Sequence, residues 1–168
     1  MNYKPVSSKW EAPCAHYLYN ALFNSEAGLN IAAHRILQGF YDGPADTHEK
    51  FEFDTIVCCG ISGIVFGLPL ARKMGRKIVI VRKDGDGTHS TNRVESDCFA
   101  NEVGNYIIVD DLIDSGATLE RILKEMKEHS GKKGKHVATY LYAGGNLRRP
   151  PEAEKKRSSK LNTRKNLA

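Results

Sequence analysis

The chain has 168 residues, of which 40% are hydrophobic and 27% charged, a composition typical of one globular domain rather than of a disordered protein. No apolar run reaches the ~18 residues of a membrane-spanning helix and the N-terminal residues lack an export signal, so we expect a cytoplasmic protein without a membrane partner. The four cysteines form no C-x-x-C pair and no disulfide spacing, which also favours a reducing compartment.

The net charge of +5 is concentrated at the C-terminal end of the chain. Residues 147–168 contain eight Lys or Arg and two Glu, so this segment carries +6 and residues 1–146 carry −1. The basic composition therefore does not indicate a nucleic-acid-binding core. The segment lacks periodic apolar residues and is predicted to be a disordered basic tail. A solubilising end is the simplest interpretation, and contact with nucleic acid is the alternative.

Two helices and a polar loop are predicted for the N-terminal part of the chain. The first helix lies around residues 12–23 and the second around residues 29–39. In the second helix, Ile31, Ile36 and Leu37 would form one apolar face. The stretch "YDGPADTHEK" that follows contains Gly, Pro and Asp residues and is predicted to be a loop.

Strands and helices alternate along the middle of the chain. Residues 53–59, "FDTIVCC", form a β-like run that predicts a strand, and the two cysteines in its apolar part are expected to be small core residues. The turn "GISG" leads into a predicted helix that ends at Gly75, with Pro69 expected to kink it or to mark a local irregularity. The apolar run at residues 77–81 predicts the next buried strand.

The same alternation continues towards the C-terminal end. Residues 82–105 are polar and lack periodicity, so they are predicted to form a long loop or a weak hairpin. Residues 106–109 predict a third strand and residues 136–143 a fourth. Between these strands, residues 115–131 predict an amphipathic helix. Its apolar face would consist of Leu119, Ile122, Leu123 and Met126.

This order of elements predicts an α/β fold, with a mostly parallel twisted sheet, flanking helices and a Rossmann-like core. Strands that are apolar throughout indicate burial on both faces of the sheet. The predicted organisation is an N-terminal helical segment or small hood at residues 1–50, a core at residues 51–146 and the tail at residues 147–168. Ligands bind such sheets beyond the carboxyl ends of the strands, where the turns after Cys59 and Val109 lie.

The stretch "YIIVDDLIDSGAT" at residues 106–118 contains the most informative polar residues. Asp110 and Asp111 repel each other, and burying them is costly unless hydroxyl donors or cations compensate. At the end of a central strand they could bind vicinal hydroxyls or help to hold a metal. The small residues after them allow backbone N–H groups to turn inward at a helix N-terminus, which suits a phosphate. A helix cap is the structural alternative, but a cap explains only one of these residues.

Two further segments are expected at the same edge of the sheet. The turn at residues 60–63 permits close approach of the backbone, although a purely structural turn is an equally good interpretation of this segment alone. Arg82 and Lys83 suit a polyphosphate, and the Gly-rich loop after them could act as a lid; a solvated loop is the alternative. The chain contains neither G-x-x-x-x-G-K-[ST] nor G-x-G-x-x-G, so the fingerprints of P-loop and dinucleotide-binding proteins are missing.

Together these segments carry a family resemblance. Residues 106–118 resemble, at every position, the phosphoribosyl-pyrophosphate (PRPP) binding motif of type I phosphoribosyltransferases. The stretch "VCCGISGIVFGLPLARKMGRKIVIVRK" resembles the pyrophosphate-loop, helix and strand segment of the adenine and orotate enzymes. The resemblance covers about residues 53–143 and implies that family's fold, PRPP and a nucleobase as substrates, Mg²⁺ as cofactor and a homodimer. The implied function is transfer of the phosphoribosyl group to a nucleobase with release of pyrophosphate, in nucleotide salvage or synthesis.

The resemblance also implies how PRPP would be bound. Asp110 and Asp111 would contact the ribose hydroxyls and, mostly through PRPP and water, Mg²⁺. Residues 114–118 would hold the 5′-phosphate, and the turn at residues 60–63 would hold pyrophosphate. The full set of implied PRPP-binding residues is Asp110, Asp111, Asp114, Ser115, Gly116, Ala117, Thr118, Ile61, Ser62, Gly63, Arg82 and Lys83.

Catalytic and lid residues follow from the same resemblance. Asp114, Lys83 and Arg82 would act in catalysis, with the two cations stabilising the leaving pyrophosphate. His89 and Arg93 would close the lid over the site.

The acceptor base is the least constrained part of this hypothesis. In the 6-oxopurine enzymes an acid at the position of Asp114 is placed to interact with the purine N7 proton, which favours hypoxanthine, guanine or xanthine. The stretch "YAGGNLRRPPE" lacks the lysine and the aromatic residue that contact the purine in those enzymes. A non-catalytic PRPP- or nucleotide-binding regulator on the same fold is therefore the alternative to an enzyme.

Overall fold

The computed structural model describes most of the predicted core. The described residues are 25–41, 47–83, 92–111, 113, 115–131 and 133–150. The predicted helix at residues 12–23, most of the predicted lid and residues 151–168 of the predicted tail lie outside them. None of the helices within the described ranges has the length and apolarity that crossing a bilayer requires.

Three α-helices, one 3-10 turn and eight strands lie in this part of the chain. The helices are α1 (Glu26–Gln38), α2 (Gly60–Met74) and α3 (Ala117–Ser130), and the 3-10 turn is Ala100–Glu102. The strands are β1 (Phe40–Tyr41), β2 (Thr47–His48), β3 (Thr55–Cys59), β4 (Lys77–Val81), β5 (Val94–Ser96), β6 (Asn105–Asp110), β7 (Lys135–Leu141) and β8 (Asn146–Arg148).

The strands form one sheet with the order β2-β1-β8-β7-β6-β3-β4-β5 among the described residues. The four central strands β7, β6, β3 and β4 are parallel, whereas β5 and β8 run antiparallel to β4 and β7. Beyond β8, β1 pairs in parallel and β2 pairs antiparallel with β1. The predicted mostly parallel sheet is confirmed, because helices α2 and α3 each connect neighbouring parallel strands.

Each face of the sheet is covered by an apolar layer. On one face, Ile56 and Cys58 of β3 belong to a core that also contains Phe66 and Leu70 of α2 and Ile36 of α1. The opposite face contributes a second core, formed by strand and α3 side chains that include Val57, Cys59, Val79, Ile108, Ile122 and Met126. Burial on both faces explains the continuous apolar runs within β3, β4 and β6, and it confirms that both cysteines of β3 are core residues.

Helix ends follow the local sequence signals. Gly75 ends α2 in the left-handed conformation with φ 61°, as predicted, and α2 continues through Pro69. Ser25 caps the start of α1, where its side chain accepts a hydrogen bond from the Gly28 N–H at 3.1 Å.

The predicted apolar face of α1 is correct for Ile36 and wrong for Ile31 and Leu37. Ile31 is 53% exposed and Leu37 is 50% exposed, whereas Leu29, Ala32 and Ile36 are buried. The difference arises because α1 presents the side of the helix with residues 29, 32 and 36 to the core, and residues 31 and 37 lie outside that stripe. The sequence carries apolar residues on both sides of α1, so spacing alone did not select the correct one.

Short edge strands replace several segments that were predicted to be irregular. The predicted loop after α1 begins in β1 and includes β2. The stretch at residues 82–105 contains the strand β5, which pairs antiparallel with β4 just before that stretch. The predicted start of the tail at residue 147 is also wrong, because β8 lies between β7 and β1 and the side chain of Leu147 is fully buried. These strands are two or three residues long and depend on pairing with distant strands, which local composition does not reveal.

Candidate functional site

The candidate site lies where the strand order of the sheet reverses. Strand β3 leads through α2 to β4 on one side, whereas β6 leads through α3 to β7 on the other side. Strands β3 and β6 are neighbours, with Val57 level with Ile108, so the segments that follow them begin side by side. The crevice at such a switch point is where open α/β sheets bind ligands.

Asp110 occupies the end of β6 in this crevice. Its side chain is only 7% exposed, and its Oδ1 accepts a hydrogen bond from the backbone N–H of Asp111 at 3.0 Å. Burial, followed by the nearby carboxylate of Asp111, raises the pKa of Asp110 to about 7, although the Asp111 N–H and the Lys83 ammonium oppose the rise. The ionised carboxylate is therefore poorly solvated in the absence of a ligand, and hydroxyl donors or cations would stabilise it.

The turn after β3 depends on glycine at two positions. Gly60 has φ 65°, and a Cβ atom built on it would lie 2.5 Å from Cε of Lys83. A Cβ atom at Gly63 would lie 3.0 Å from Cβ of Cys58 and 3.2 Å from the carbonyl oxygen of Val109. Glycine at these two positions lets the first turn of α2 approach both β6 and the Lys83 side chain. The turn therefore lies at the same edge of the sheet as Asp110, which its sequence alone left undecided.

The two predicted cations at the end of β4 have different surroundings. Lys83 extends across the Gly60 turn and acts electrostatically on Asp110. Arg82 forms an ion pair with Glu95 of β5, with Nη2 and Oε1 2.8 Å apart, and its backbone N–H donates to the Arg93 carbonyl at 2.9 Å. Lys83 thus lies near enough to Asp110 to act on it electrostatically, and nothing in the sequence indicated that Glu95 pairs with Arg82.

The start of α3 provides the third wall of the crevice. Gly116 is the N-cap residue, in the left-handed conformation with φ 85°, and has no side chain to cap the helix. The Oγ atom of Ser115 accepts a hydrogen bond from the Ala117 N–H at 3.3 Å, and Thr118 is half-buried in the first turn. A helix N-terminus of this kind, with a small N-cap residue, leaves room for an anion beside its N–H groups.

Not all of the predicted site residues can be located. Asp114 and His89 lie outside the described residues, so the predicted contact with the base and half of the predicted lid pair stay predictions. Arg93 is described; it is exposed and immediately precedes β5. Ile61 is 64% exposed in the first turn of α2, next to half-buried Ser62.

Tyr142 is a buried residue beside the candidate site that the sequence analysis missed. Its backbone N–H donates to the Asp110 carbonyl at 3.0 Å, and its hydroxyl donates to the Ser62 carbonyl at 3.0 Å. Its ring stacks on Phe66 of α2 with the ring centres 4.7 Å apart. In the sequence, Tyr142 belongs to an apolar run, and nothing there distinguished it from the other core aromatic residues.

The residues at this edge fit Mg²⁺ only in combination with a ligand. Asp110 and Asp111 supply carboxylate oxygens, the type of ligand that Mg²⁺ prefers. No group of three or more His, Cys, Asp or Glu side chains that could hold a metal occurs within the described part of the chain. A Mg²⁺ ion bound beside the two aspartates would therefore take most of its ligands from the bound substrate and water.

Comparisons with known proteins agree with the fold and with the motifs. The family model of the phosphoribosyl transferase domain matches residues 29–167. The adenine phosphoribosyltransferase of Butyrivibrio fibrisolvens is 33% identical over 107 residues, which are 56% of this chain and 59% of that protein. The transcriptional regulator GfcR of Methanocaldococcus jannaschii is 28% identical over 83 residues, which are 47% of this chain and 39% of that protein. The chain thus spans well under two thirds of the length of both relatives.

A solved structure supports the same fold. The crystal structure of adenine phosphoribosyltransferase from Rhodothermus marinus superimposes with a TM-score of 0.52 at 19% identity, over 73% of this chain and 70% of that one. At this identity the likeness concerns the fold alone, and it agrees with the mostly parallel sheet and flanking helices described above. Because the family model covers most of the sequence, the chain belongs to the phosphoribosyl transferase domain family.

Proposed function

We propose that the protein transfers the 5-phosphoribosyl group from PRPP to a nucleobase and releases pyrophosphate. One observation carries this proposal: an aspartate pair with Asp110 buried, a glycine turn with a lysine across it and a helix N-terminus with a glycine N-cap meet at one edge of the sheet. These three features suit the three parts of PRPP, which are a diol, a pyrophosphate and a monophosphate.

The ribose 5-phosphate part of PRPP would bind along β6 and α3. The carboxylates of Asp110 and Asp111 would accept hydrogen bonds from the two ribose hydroxyls, which would compensate for the burial of Asp110. The N–H groups at residues 115–118 would bind the 5′-phosphate, assisted by the positive end of the α3 dipole. Ser115 and Thr118 would add hydroxyl donors to the same phosphate.

The pyrophosphate part would bind at the turn after β3. Backbone N–H groups of Ile61, Ser62 and Gly63 begin α2, and Lys83 lies across the same turn. Arg82 would join them after exchanging Glu95 for a phosphate oxygen, since a guanidinium binds both groups in a similar geometry. His89 and Arg93 would approach from the segment between β4 and β5.

Charge explains how this arrangement would accelerate the transfer. Departure of pyrophosphate leaves positive charge on the ribose, as in glycoside hydrolysis. Cations at the β3 and β4 side would stabilise the leaving group, while the aspartates at the β6 side would tolerate the positive ribose. Mg²⁺, when bound to the substrate oxygens, would neutralise part of the charge of the pyrophosphate. The described residues would therefore act mainly by binding and orienting PRPP.

For the acceptor we propose adenine as the first candidate. The support comes from the relatives, which include several proteins named adenine phosphoribosyltransferase. The preference for a 6-oxopurine depends on Asp114 alone, and none of these relatives supports it. It stays open only as a second outcome of the assay below.

A non-catalytic PRPP-binding regulator is the second candidate function. The specific observation in its favour is the match to GfcR, which is named a transcriptional regulator. The basic residues after β8 are compatible with contact to nucleic acid, and a regulator would need PRPP binding but no acceptor site. A homodimer is expected of either function from the family resemblance.

Pyrophosphate release distinguishes the two functions. The protein is incubated with PRPP, Mg²⁺ and, one at a time, adenine, hypoxanthine, guanine, xanthine and orotate, and the nucleotide product is identified by chromatography. We expect turnover with adenine, and none in the matched variant Asp110→Asn/Asp111→Asn. Binding of PRPP in calorimetry without turnover on any base would identify the regulator. Absence of PRPP binding would refute both functions.

A further inference from the structure

Tyr142 makes three contacts that involve separate parts of the crevice. It directly follows β7, and its side chain is 3% exposed, so it is a core residue and not one that could contact a substrate. Its backbone N–H bonds to Asp110, its hydroxyl bonds to the carbonyl of Ser62, and its ring stacks on Phe66 with an angle of 20° between the planes.

These contacts connect segments that are distant in the sequence. The bond from the Tyr142 hydroxyl to Ser62 spans 80 residues and reaches the first turn of α2, where the glycine turn begins. The neighbouring Ala143 N–H donates to the Asp111 carbonyl at 3.2 Å, so the backbone after β7 holds both aspartates. Residue 142 is thus bonded on one side to the aspartate pair and on the other side to the turn after β3.

The phenolic hydroxyl has a well-defined geometry. Phe66 lies one helical turn after Ser62 on α2, so stacking on Phe66 directs the Tyr142 hydroxyl at the Ser62 carbonyl. A carbonyl oxygen has two lone pairs and can accept this bond in addition to the intrahelical one. The bond therefore adds a constraint to the first turn of α2 without replacing a helix hydrogen bond.

We propose that Tyr142 is a positioning residue that sets the distance and orientation of the turn at residues 60–63 relative to Asp110 and Asp111. The inference rests on the proposed function, because its expected effect is weaker binding of the pyrophosphate part of PRPP alone. Loss of the hydroxyl frees the turn after β3, where pyrophosphate would bind, and leaves β6 and the start of α3 unchanged. Binding of pyrophosphate is then weakened, and binding of ribose 5-phosphate is not.

The test compares two fragments of the substrate on one variant. In Tyr142→Phe the stacked ring is kept and only the hydroxyl is removed. We expect the Kd of Mg²⁺-pyrophosphate to rise about fivefold, the change that corresponds to loss of one ordinary hydrogen bond. The Kd of ribose 5-phosphate should stay within a factor of about two, by isothermal titration calorimetry. In turnover assays the KM for PRPP should rise by a similar factor while the KM for adenine is unchanged.

Tyr106→Phe is the matched control. Tyr106 is a buried tyrosine at the opposite end of β6, stacked on His136, so its hydroxyl is remote from the crevice. This variant should bind both fragments as the unmodified protein does. Equal weakening of both fragments in Tyr142→Phe, or no change in either, would overturn the inference while leaving the proposed function intact. If the unmodified protein binds neither fragment nor PRPP, the proposed function itself is refuted.

A second variant keeps the inference testable if Tyr142→Phe does not fold, as judged by circular dichroism. Phe66→Leu removes the ring that orients Tyr142 but retains the hydroxyl. The same selectivity is expected, with a severalfold weaker affinity for pyrophosphate and unchanged affinity for ribose 5-phosphate. Equal losses for the two ligands would contradict the assigned role of Tyr142.

Discussion

Asp110→Asn should make the ligand-free protein more stable at neutral and alkaline pH. Asp110 is 7% exposed, and burial together with Asp111 raises its pKa from 3.8 to about 7. A carboxyl group whose pKa is raised by folding favours the folded state below pH 3.8, and this contribution is lost as the pH rises through 7. Asparagine does not ionise, and its Oδ1 can still accept the bond from the Asp111 N–H.

The size of the effect on stability follows from how far the pKa of Asp110 is raised. A pKa higher by about three corresponds to about 4 kcal/mol of unfolding free energy at pH 8, as an upper bound. About 2–3 kcal/mol of this loss of stability occurs between pH 5 and pH 8. The unmodified protein should therefore lose about that much more stability over this interval than Asp110→Asn does. The same carboxylate is proposed to bind ribose, so the variant should gain stability and lose PRPP binding.

Urea unfolding at pH 5, 6, 7 and 8, in the absence of Mg²⁺ and PRPP, measures this difference. Glu128→Gln is the control, because it removes a carboxylate from an exposed position near the end of α3. Its stability should follow that of the unmodified protein at every pH. If Asp110→Asn and the unmodified protein lose stability in parallel between pH 5 and pH 8, Asp110 is not electrostatically strained and the argument from burial is wrong.

Three further predictions concern the rest of the fold. Gly63→Ala should destabilise the protein by about 1–3 kcal/mol and weaken PRPP binding, since its Cβ would meet Cys58 and Val109; Gly75→Ala, at a site with open space, should lower the thermal midpoint without changing affinity. Burial lowers the pKa of His136 to about 4. The neutral side chain should therefore contribute stability above pH 6.5, and this contribution should be lost as the pH falls through 4. A His136→Gln variant that loses as much stability as the unmodified protein over this pH range would contradict this. Removal of residues 151–168 should leave turnover unchanged. Removal from Leu147 onward should lower the melting temperature sharply, because most of β8 and the buried side chain of Leu147 are lost. Equal melting temperatures of the two truncated proteins would show that β8 contributes little to stability.

The sequence determined the central elements of this protein because their signals are local. The parallel strands β3, β4 and β6 each contain a continuous apolar run, α3 has a strong period of 3.6 residues, and Gly75 ends α2 in the conformation that glycine allows. The aspartate pair and the small residues before α3 also stood out, since adjacent carboxylates after a buried strand require compensation. These local features were sufficient for the fold class and for the edge of the sheet that forms the crevice.

Only the tertiary structure decided which residues meet at that edge. The buried side of α1, the short strands β1, β2 and β8, and the ion pair of Arg82 with Glu95 all depend on partners far away in the chain. Tyr142 is the clearest case, because its hydroxyl bonds across 80 residues to Ser62 while its backbone holds Asp110. Residue type and periodicity indicate what structure a segment prefers by itself. The crevice depends on pairing between segments that are distant in the sequence, and this pairing is set only when the sheet assembles.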